Sequence, residues 1–310
     1  RDTISTKQER VMRIGVDLGG TKIEGIILDD EGSIRENIRI KTPYDQYDAT
    51  LEATCEIVNK LQAKATPKFT VGIGTPGALS LPSKLMKNSN SVCLNGKPFK
   101  QDIELRLGYE VRMENDANCF ALSEAQYGAG IDCFSVFGVI LGTGTGGGIV
   151  VNKQLVTGPN NITGEWGHNS IPVSVQKLIA NDRTCYCGRQ NCIETVLSGR
   201  GLKQTYFEQV GQQLEPIEIT QRAEQGHSNA MECIQRYCQQ LARCLASVIN
   251  IVDPELIVLG GGLSNIRELY NAVPDFLEEF VFTDVVQTKL SRPKFGDSSG
   301  ARGAACLWAP

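Results

Sequence analysis

Positive charge is in short supply: 31 Lys and Arg against 35 Asp and Glu give a net charge of −4. The chain therefore lacks the basic excess that a nucleic-acid backbone or an anionic membrane surface calls for. An unbroken apolar span is missing too. The most apolar long stretch, 136–151, is split by "GTGTGGG" and reads as two buried strands around a turn, not a membrane crossing. No low-complexity run and no Pro- or Ser-rich linker marks a domain boundary. No secretory pattern opens the chain, and eleven cysteines, an odd number, are scattered through it, with Cys233, Cys238 and Cys244 in one apolar helical segment. Together these predict reduced thiols and a cytoplasmic protein. Two nucleotide fingerprints are absent in substance. No G-x-x-x-x-G-K-[ST] occurs, and "GTGTGG" at 142–147 is followed by "GIVVN", a strand where the dinucleotide motif needs a helix.

What is present is an α/β pattern that repeats. At 310 residues the chain suffices for one large domain or two ordinary ones. Residues 1–11, "RDTISTKQERV", lack the apolar pattern that follows and read as a leader or tag remnant. "MRIGVDLGG" and "KIEGIILDDEG" predict a β-hairpin, with a third strand at 33–41 and a helix over 47–64. A strand at 110–113 leads into "ENDANCFALSEA", which turns helical after Asp116. "FSVFGVILGTGTGGGIVVN" is again strand, glycine turn, strand, so a duplicated fold with a ligand between its halves is expected. A long helix at 229–252 feeds the strand "LIVLG" and a third glycine cluster, Gly260–Gly262, expected to open a helix near Asn265. An apolar helix ends the chain.

Three glycine turns form a phosphate-binding plan of their own. In "DLGGTK", Asp17 ends a strand where Gly19 and Gly20 let the backbone approach a ligand. Thr21 and Lys22 add a hydroxyl and an ammonium. Backbone N–H groups with these side chains suit a polyphosphate, and Asp17 suits its metal ion; a plain tight hairpin is the alternative. Asp116 stands at a strand-to-helix junction, a place for an exposed carboxylate base and equally for an ordinary N-cap. "GEWGH" spaces Glu165 and His168 three residues apart, on one face, where a carboxylate and an imidazole suit vicinal sugar hydroxyls. His168 is one of two histidines, and "TCYCGRQNCIET" packs Cys185, Cys187 and Cys192 into eight residues. Three thiolates and an imidazole are the complement of a closed structural zinc site. The C-x-C-x4-C spacing is not that of a zinc finger, so three reduced loop cysteines remain an alternative. Against it, Gly188, Arg189 and Gln190 make the loop too polar to bury thiols as core.

These stretches, with "VGIGTPG" and "PELIVLGGGLSN", resemble the ROK family (repressors, uncharacterised frames and kinases) of the sugar kinase, actin and Hsp70 superfamily. "NSNSVCLNGKPF", "GEWGHN", "CYCG" and "GDSSGARGAA" resemble the family's bacterial fructokinases (manno-fructokinases), with N-acetylglucosamine kinases next. The resemblance implies a duplicated ribonuclease H-like α/β fold. Its small domain would be 12–118 with 296–310 packing back on it, and its large domain 119–295 with the zinc loop, flanking a cleft that closes on sugar. It implies an enzyme that uses Mg²⁺ and ATP to phosphorylate a hexose, fructose at its 6-hydroxyl being the main expectation. N-acetylglucosamine, glucose and mannose are the alternatives, and a sugar-sensing regulator a further one. The family's repressors carry a helix-turn-helix ahead of the first glycine turn, where eleven residues precede Met12 here. By resemblance Asp116 is the general base, and Asn115, Glu165, His168 and Glu194 bind the hexose with Asn90 and Gly77. Asp17, Gly19, Gly20, Thr21 and Lys22 bind ATP with Gly142, Thr143, Gly144 and Gly260, Gly261, Gly262. His168, Cys185, Cys187 and Cys192 hold structural zinc, with Asn191 where the family has Gly before the last cysteine. Asn tolerates the left-handed backbone such a turn needs. The expected partners are hexose and ATP in a homodimer, without nucleic acid or membrane.

Overall fold

The computed structural model describes residues 11–43, 45–65, 68–296 and 299–308. The leader expected at 1–11 lies, apart from Val11, outside them. The chain forms two compact units, residues 1–123, 157–162 and 297–310, and residues 124–156 and 163–296. The division falls after Ser123, inside a helix, and the short segment 157–162 belongs to the first unit.

In the first unit, β1 (Met12–Leu18), β2 (Lys22–Leu28) and β3 (Ile34–Lys41) form an antiparallel meander, to which β4 (Phe69–Thr75) and β7 (Arg112–Asn115) add in parallel. The sheet order is β3-β2-β1-β4-β7; β5 (Ala78–Leu79) and β6 (Met86–Lys87) make a separate ribbon. Strand β3 alternates half-buried and exposed residues, as a strand with one wet face must. β1, β2 and β4 bury nearly everything. Helices α1 (Tyr47–Gln62) and α2 (Phe99–Leu107) supply Leu51, Ile57, Val58, Leu61, Phe99 and Ile103 to the core beside Ile14, Val16 and Ile73. Helix α3 (Asp116–Gln126) follows β7 without a loop.

The C-terminal helix Ser299–Ala305 lies directly on β1 and β4. A Cβ on Gly15 would stand 2.0 Å from the Ala301 carbonyl oxygen, and one on Gly72 1.8 Å from that of Ala304. Backbone meets backbone there, so the strands need glycine at these two places.

The second unit repeats the plan: β8 (Ser135–Leu141), β9 (Thr145–Val151) and β10 (Gln154–Leu155) are antiparallel, and β11 (Leu256–Gly260) and β12 (Lys289–Ser291) continue in parallel. Its order, β10-β9-β8-β11-β12, matches the first sheet strand for strand. Short helices α4 (Val173–Gln176) and α5 (Glu194–Leu197) precede α6 (Gly199–Val210), α7 (Pro216–Glu224) and α8 (Ser228–Val252). Helix α8 buries Cys233, Ile234, Tyr237, Cys238, Leu241, Cys244, Leu245 and Ile249 at three- and four-residue steps. A fully buried side chain of this size contributes roughly 1.5–3 kcal/mol. The Tyr237 hydroxyl donates to the Leu197 carbonyl at 2.6 Å. The helix expected near Asn265 is a single 3₁₀ turn, Gly262–Asn265, and helix α9 (Glu268–Phe280) begins later. The strand read at 110–113 runs to Asn115, which moves the helix start onto Asp116 itself. Among the described residues no helix is long and apolar enough to cross a membrane.

Candidate active site and metal centre

Parallel pairing in the first unit sets Asp17 beside Gly74 and Thr75 beside Asn115. The C-terminal ends of β1, β4 and β7 thus come together, the edge at which open α/β sheets bind ligands. Asn115 ends β7, and its Nδ2 donates to the Gly77 carbonyl at 3.4 Å. The Ala117 amide, in the first turn of α3, donates to both Asn115 Oδ1 (2.9 Å) and Asp116 Oδ1 (2.8 Å). One N–H therefore fixes two neighbouring side chains. Gly77 adopts φ +94° and packs on Ser89. Asn90, the next residue, is exposed.

Asp17 shares its surroundings with two other acids, Asp116 and its cross-strand partner Glu24. Burial first, then Asp116 and Glu24, push its carboxyl from 3.8 up to about 7, with Lys22 pulling the other way. Gly300 of the C-terminal helix presses on it: a Cβ there would stand 2.4 Å from Asp17 Oδ2. In the turn after β1, the Gly19 amide donates to the Lys22 carbonyl (3.0 Å) and the Thr42 hydroxyl donates to the Gly19 carbonyl (2.7 Å). Space above Gly20 is open. The Lys22 ammonium lies 3.7 Å from buried Glu24, which Arg39 also meets at 2.9 Å.

In the second unit the glycines divide their labour. Gly142, Thr143 and Gly262 line one cavity of about 840 Å³, with Gly199, Arg200 and Lys203 of α6, Pro216 and Ile217 of α7, and Ile266. That volume and its mix of apolar wall and cationic side chains suit a nucleotide-sized ligand. Gly261 plays a packing role instead. At its φ of +82° a Cβ would stand 2.4 Å from the Leu141 carbonyl oxygen, so glycine lets the turns after β8 and β11 abut. Gly260 is buried in β11. Gly144 faces Glu194, whose Oε2 accepts from the Thr145 amide at 3.0 Å. Glu194 is thereby tied to the glycine turn while its helix, α5, starts two residues after Cys192.

"GEWGH" forms a turn anchored by Trp166, whose indole donates to the Gly146 carbonyl (2.9 Å) and stands edge-on to Phe137. The turn delivers His168 to the cysteine loop. Ligand atoms of His168, Cys185, Cys187 and Cys192 all lie within 4.8 Å of one another. His168 Nδ1 is 3.6 Å from Cys185 Sγ, and Cys187 and Cys192 Sγ are 3.6 Å apart. A tetrahedral zinc with bonds of about 2.3 Å to sulfur and about 2.05 Å to nitrogen requires edges of roughly 3.5–3.8 Å. The donor set suits zinc, and these two separations match the edges of such a tetrahedron. Asn191 sits at φ +55°. Its side chain accepts from the Arg183 amide (2.8 Å) and donates to Asp182 (2.7 Å), two bonds that glycine cannot make.

Two side chains that sequence reasoning passed over complete this region. Arg183 is buried, pairs with Glu208 at 2.8 Å and donates to the carbonyls of Thr195 and Gly201, so it ties the loop's base to the segment carrying Glu194. Tyr186 sets its hydroxyl 3.0 Å from His168 Nε2. Burial, then Glu194 and Glu165, raise its phenol to about 12. Neither residue belongs to a periodic or spaced pattern, so only the fold reveals them.

A sequence profile of the ROK family matches residues 13–310. An N-acetyl-D-glucosamine kinase of Citrobacter koseri is 40% identical over 299 residues, 96% of this chain and 99% of that protein. A ROK hexokinase of Thermus thermophilus superposes with a TM-score of 0.84 at 26% identity, covering 95% of this chain and 96% of the other. A ROK family glucokinase of Streptomyces griseus, solved with glucose and AMPPNP, gives 0.77 at 26% identity, covering 96% and 98%. The 40% relative carries the name of the alternative expected from the sequence and not that of a fructokinase.

Proposed function

The chain belongs to the ROK family, and from that premise we propose that it is an ATP-dependent sugar kinase whose hexose is N-acetylglucosamine. The observation that carries the choice of sugar is 40% identity, over nearly the full length of both chains, to a protein named for that activity. Asp116 is the proton acceptor. As the 6-hydroxyl oxygen of the hexose bonds to the γ-phosphorus and ADP departs, the hydroxyl proton passes to the Asp116 carboxylate. Asn115, fixed by the same amide as Asp116, holds a sugar hydroxyl, with the Gly77–Asn90 region beside it. Glu165, His168 and Glu194 are the other side chains assigned to the hexose.

ATP is assigned to the glycine turns. Asp17, Gly19, Gly20, Thr21 and Lys22 take phosphates. The cavity lined by Gly142, Thr143 and Gly262 takes the nucleoside, with Arg200 and Lys203 at its wall. Mg²⁺, when bound, would spread the charge of the transferring phosphoryl group, and Asp17 is the carboxylate assigned to hold it.

His168, Cys185, Cys187 and Cys192 would hold zinc as a closed structural site, with four protein ligands and no role in water chemistry. It ties the "GEWGH" turn, with Glu165 and His168, to the loop that ends at Glu194. Cys187→Ser is therefore expected to drop zinc from one per chain toward none and to raise hexose KM more than ATP KM. Elemental analysis and steady-state kinetics on one preparation measure both. Full zinc with unchanged kinetics would remove this role.

The test of the function itself is Mg-ATP consumption with N-acetylglucosamine, glucose, mannose and fructose at matched concentrations. The expected result is kcat/KM at least tenfold higher for N-acetylglucosamine, on the order of one well-placed contact. A fructose lead would restore the fructokinase reading. No sugar-stimulated turnover from folded, zinc-replete protein would favour a sugar-sensing regulator.

A further inference from the structure

His168 has two ring nitrogens, and both are engaged. Nδ1 faces the sulfur cluster, 3.6 Å from Cys185 Sγ, and Nε2 lies 3.0 Å from Tyr186 Oη. The two rings meet edge to face, centroids 5.2 Å apart at 78°. A metal on Nδ1 leaves the ring proton on Nε2, so Nε2–H donates to the phenol oxygen. That nitrogen has one proton to give. A hexose hydroxyl can accept it only when Tyr186 lets go.

Tyr186 is placed to do so. It is 60% exposed, so no core packing pins its ring. With Glu194 and Cys185 it lines a cavity of about 370 Å³. Its oxygen thus rests on the His168 imidazole, while its side chain shares a cavity wall with the Glu194 carboxylate, and His168 and Glu194 are two of the groups assigned to the hexose. A phenol oxygen is a fair copy of a sugar hydroxyl: one donor, two lone pairs, similar reach.

We propose that Tyr186 sets hexose affinity by competition, its hydroxyl holding, in the sugar-free protein, the His168 Nε2–H bond that a hexose hydroxyl takes on binding. This rests on the reading of His168 and Glu194 as hexose ligands. When the sugar arrives, Nε2–H···O(Tyr186) breaks and Nε2–H···O(sugar) forms, while the phenol turns to solvent. The hexose displaces a preformed partner tethered one residue from a metal ligand, and its net gain from His168 is smaller for it.

Tyr186→Phe deletes the oxygen and keeps the ring. Hexose KM is expected to fall about two- to tenfold, the net worth of one hydrogen bond, with kcat, ATP KM and zinc content unchanged. Tyr186→Ala should shift KM the same way, which separates the hydroxyl's effect from any effect of the ring. An unchanged hexose KM in the Phe variant, or a raised one, overturns the proposal; a raised one would make Tyr186 a direct sugar ligand. Failure of the underlying reading looks different. Wild-type protein would then show no sugar-dependent ATP consumption, and the proposal would fall with it.

Discussion

Asp116→Asn is expected to lower kcat by about 10²–10⁴-fold, the usual contribution of a general base, while hexose KM, zinc content and melting temperature stay near wild type. The geometry explains the separation. Asp116 Oδ1 accepts from the Ala117 amide at 2.8 Å, and an asparagine oxygen can accept the same bond. Strand β7 and helix α3 join without a loop, so the side chain's position is set by backbone that the substitution leaves alone. Only the capacity to take a proton disappears. Steady-state kinetics with thermal melts on one preparation check both halves, and near-normal turnover would remove Asp116 from the role.

Asp17→Asn should trade activity for stability, with a stability gain that grows from about pH 4 and is complete near pH 7. The folded carboxyl titrates at about 7 instead of 3.8, because burial, Asp116 and Glu24 oppose its charge. Below pH 4 it is protonated in both folded and unfolded chains and contributes nothing. Between about pH 4 and 7 the unfolded chain gives up this proton while the folded one keeps it, so stability falls as pH rises. Above pH 7 the penalty is constant, on the order of 1–3 kcal/mol once partial exposure is allowed for. Removing the charge should raise the melting temperature by a few °C at pH 8 and leave it unchanged at pH 4. The same change takes away the carboxylate assigned to Mg²⁺, so kcat should drop at least tenfold, by analogy with other lost charge-stabilising groups. A variant melting no higher than wild type at pH 8 would contradict the strained-charge account, whatever its activity.

The hairpins are legible in the sequence because β-rich runs flank glycine turns twice over, at 12–28 and at 135–151. The cluster of His168 with Cys185, Cys187 and Cys192 is legible because three cysteines so close together are hard to explain as core. Helices α2 and α7 escape a reading of the sequence because they are only nine residues long, too short for a clear apolar period. Arg183 and Tyr186 act through contacts that only the fold creates. The stretches that point to fructose do so for a reason visible in the structure. In "NSNSVCLNGKPF", Asn95 Oδ1 accepts from the Ser89 amide and Nδ2 donates to the Ser89 carbonyl, which closes a loop. "CYCG" and "GEWGHN" build the histidine–cysteine cluster and its anchor, and "GDSSGARGAA" includes the helix that lies on Gly15 and Gly72. These matches report scaffold that one hexose kinase can share with another, so they carry the family and not the substrate.

The C-terminal helix has a consequence for how the protein is made. It covers Gly15 and Gly72 at backbone contact, yet it is synthesised long after them. At roughly 5–20 residues per second, the ribosome needs on the order of ten seconds or more to travel from the end of the first sheet to this helix. All that time the nascent chain presents β1 and β4 with a glycine-floored face uncovered. Every residue of the second unit is synthesised before residue 299 emerges. The order of completion during translation is therefore the reverse of the order of appearance, and the half of the protein carrying Asp116 is the last to close.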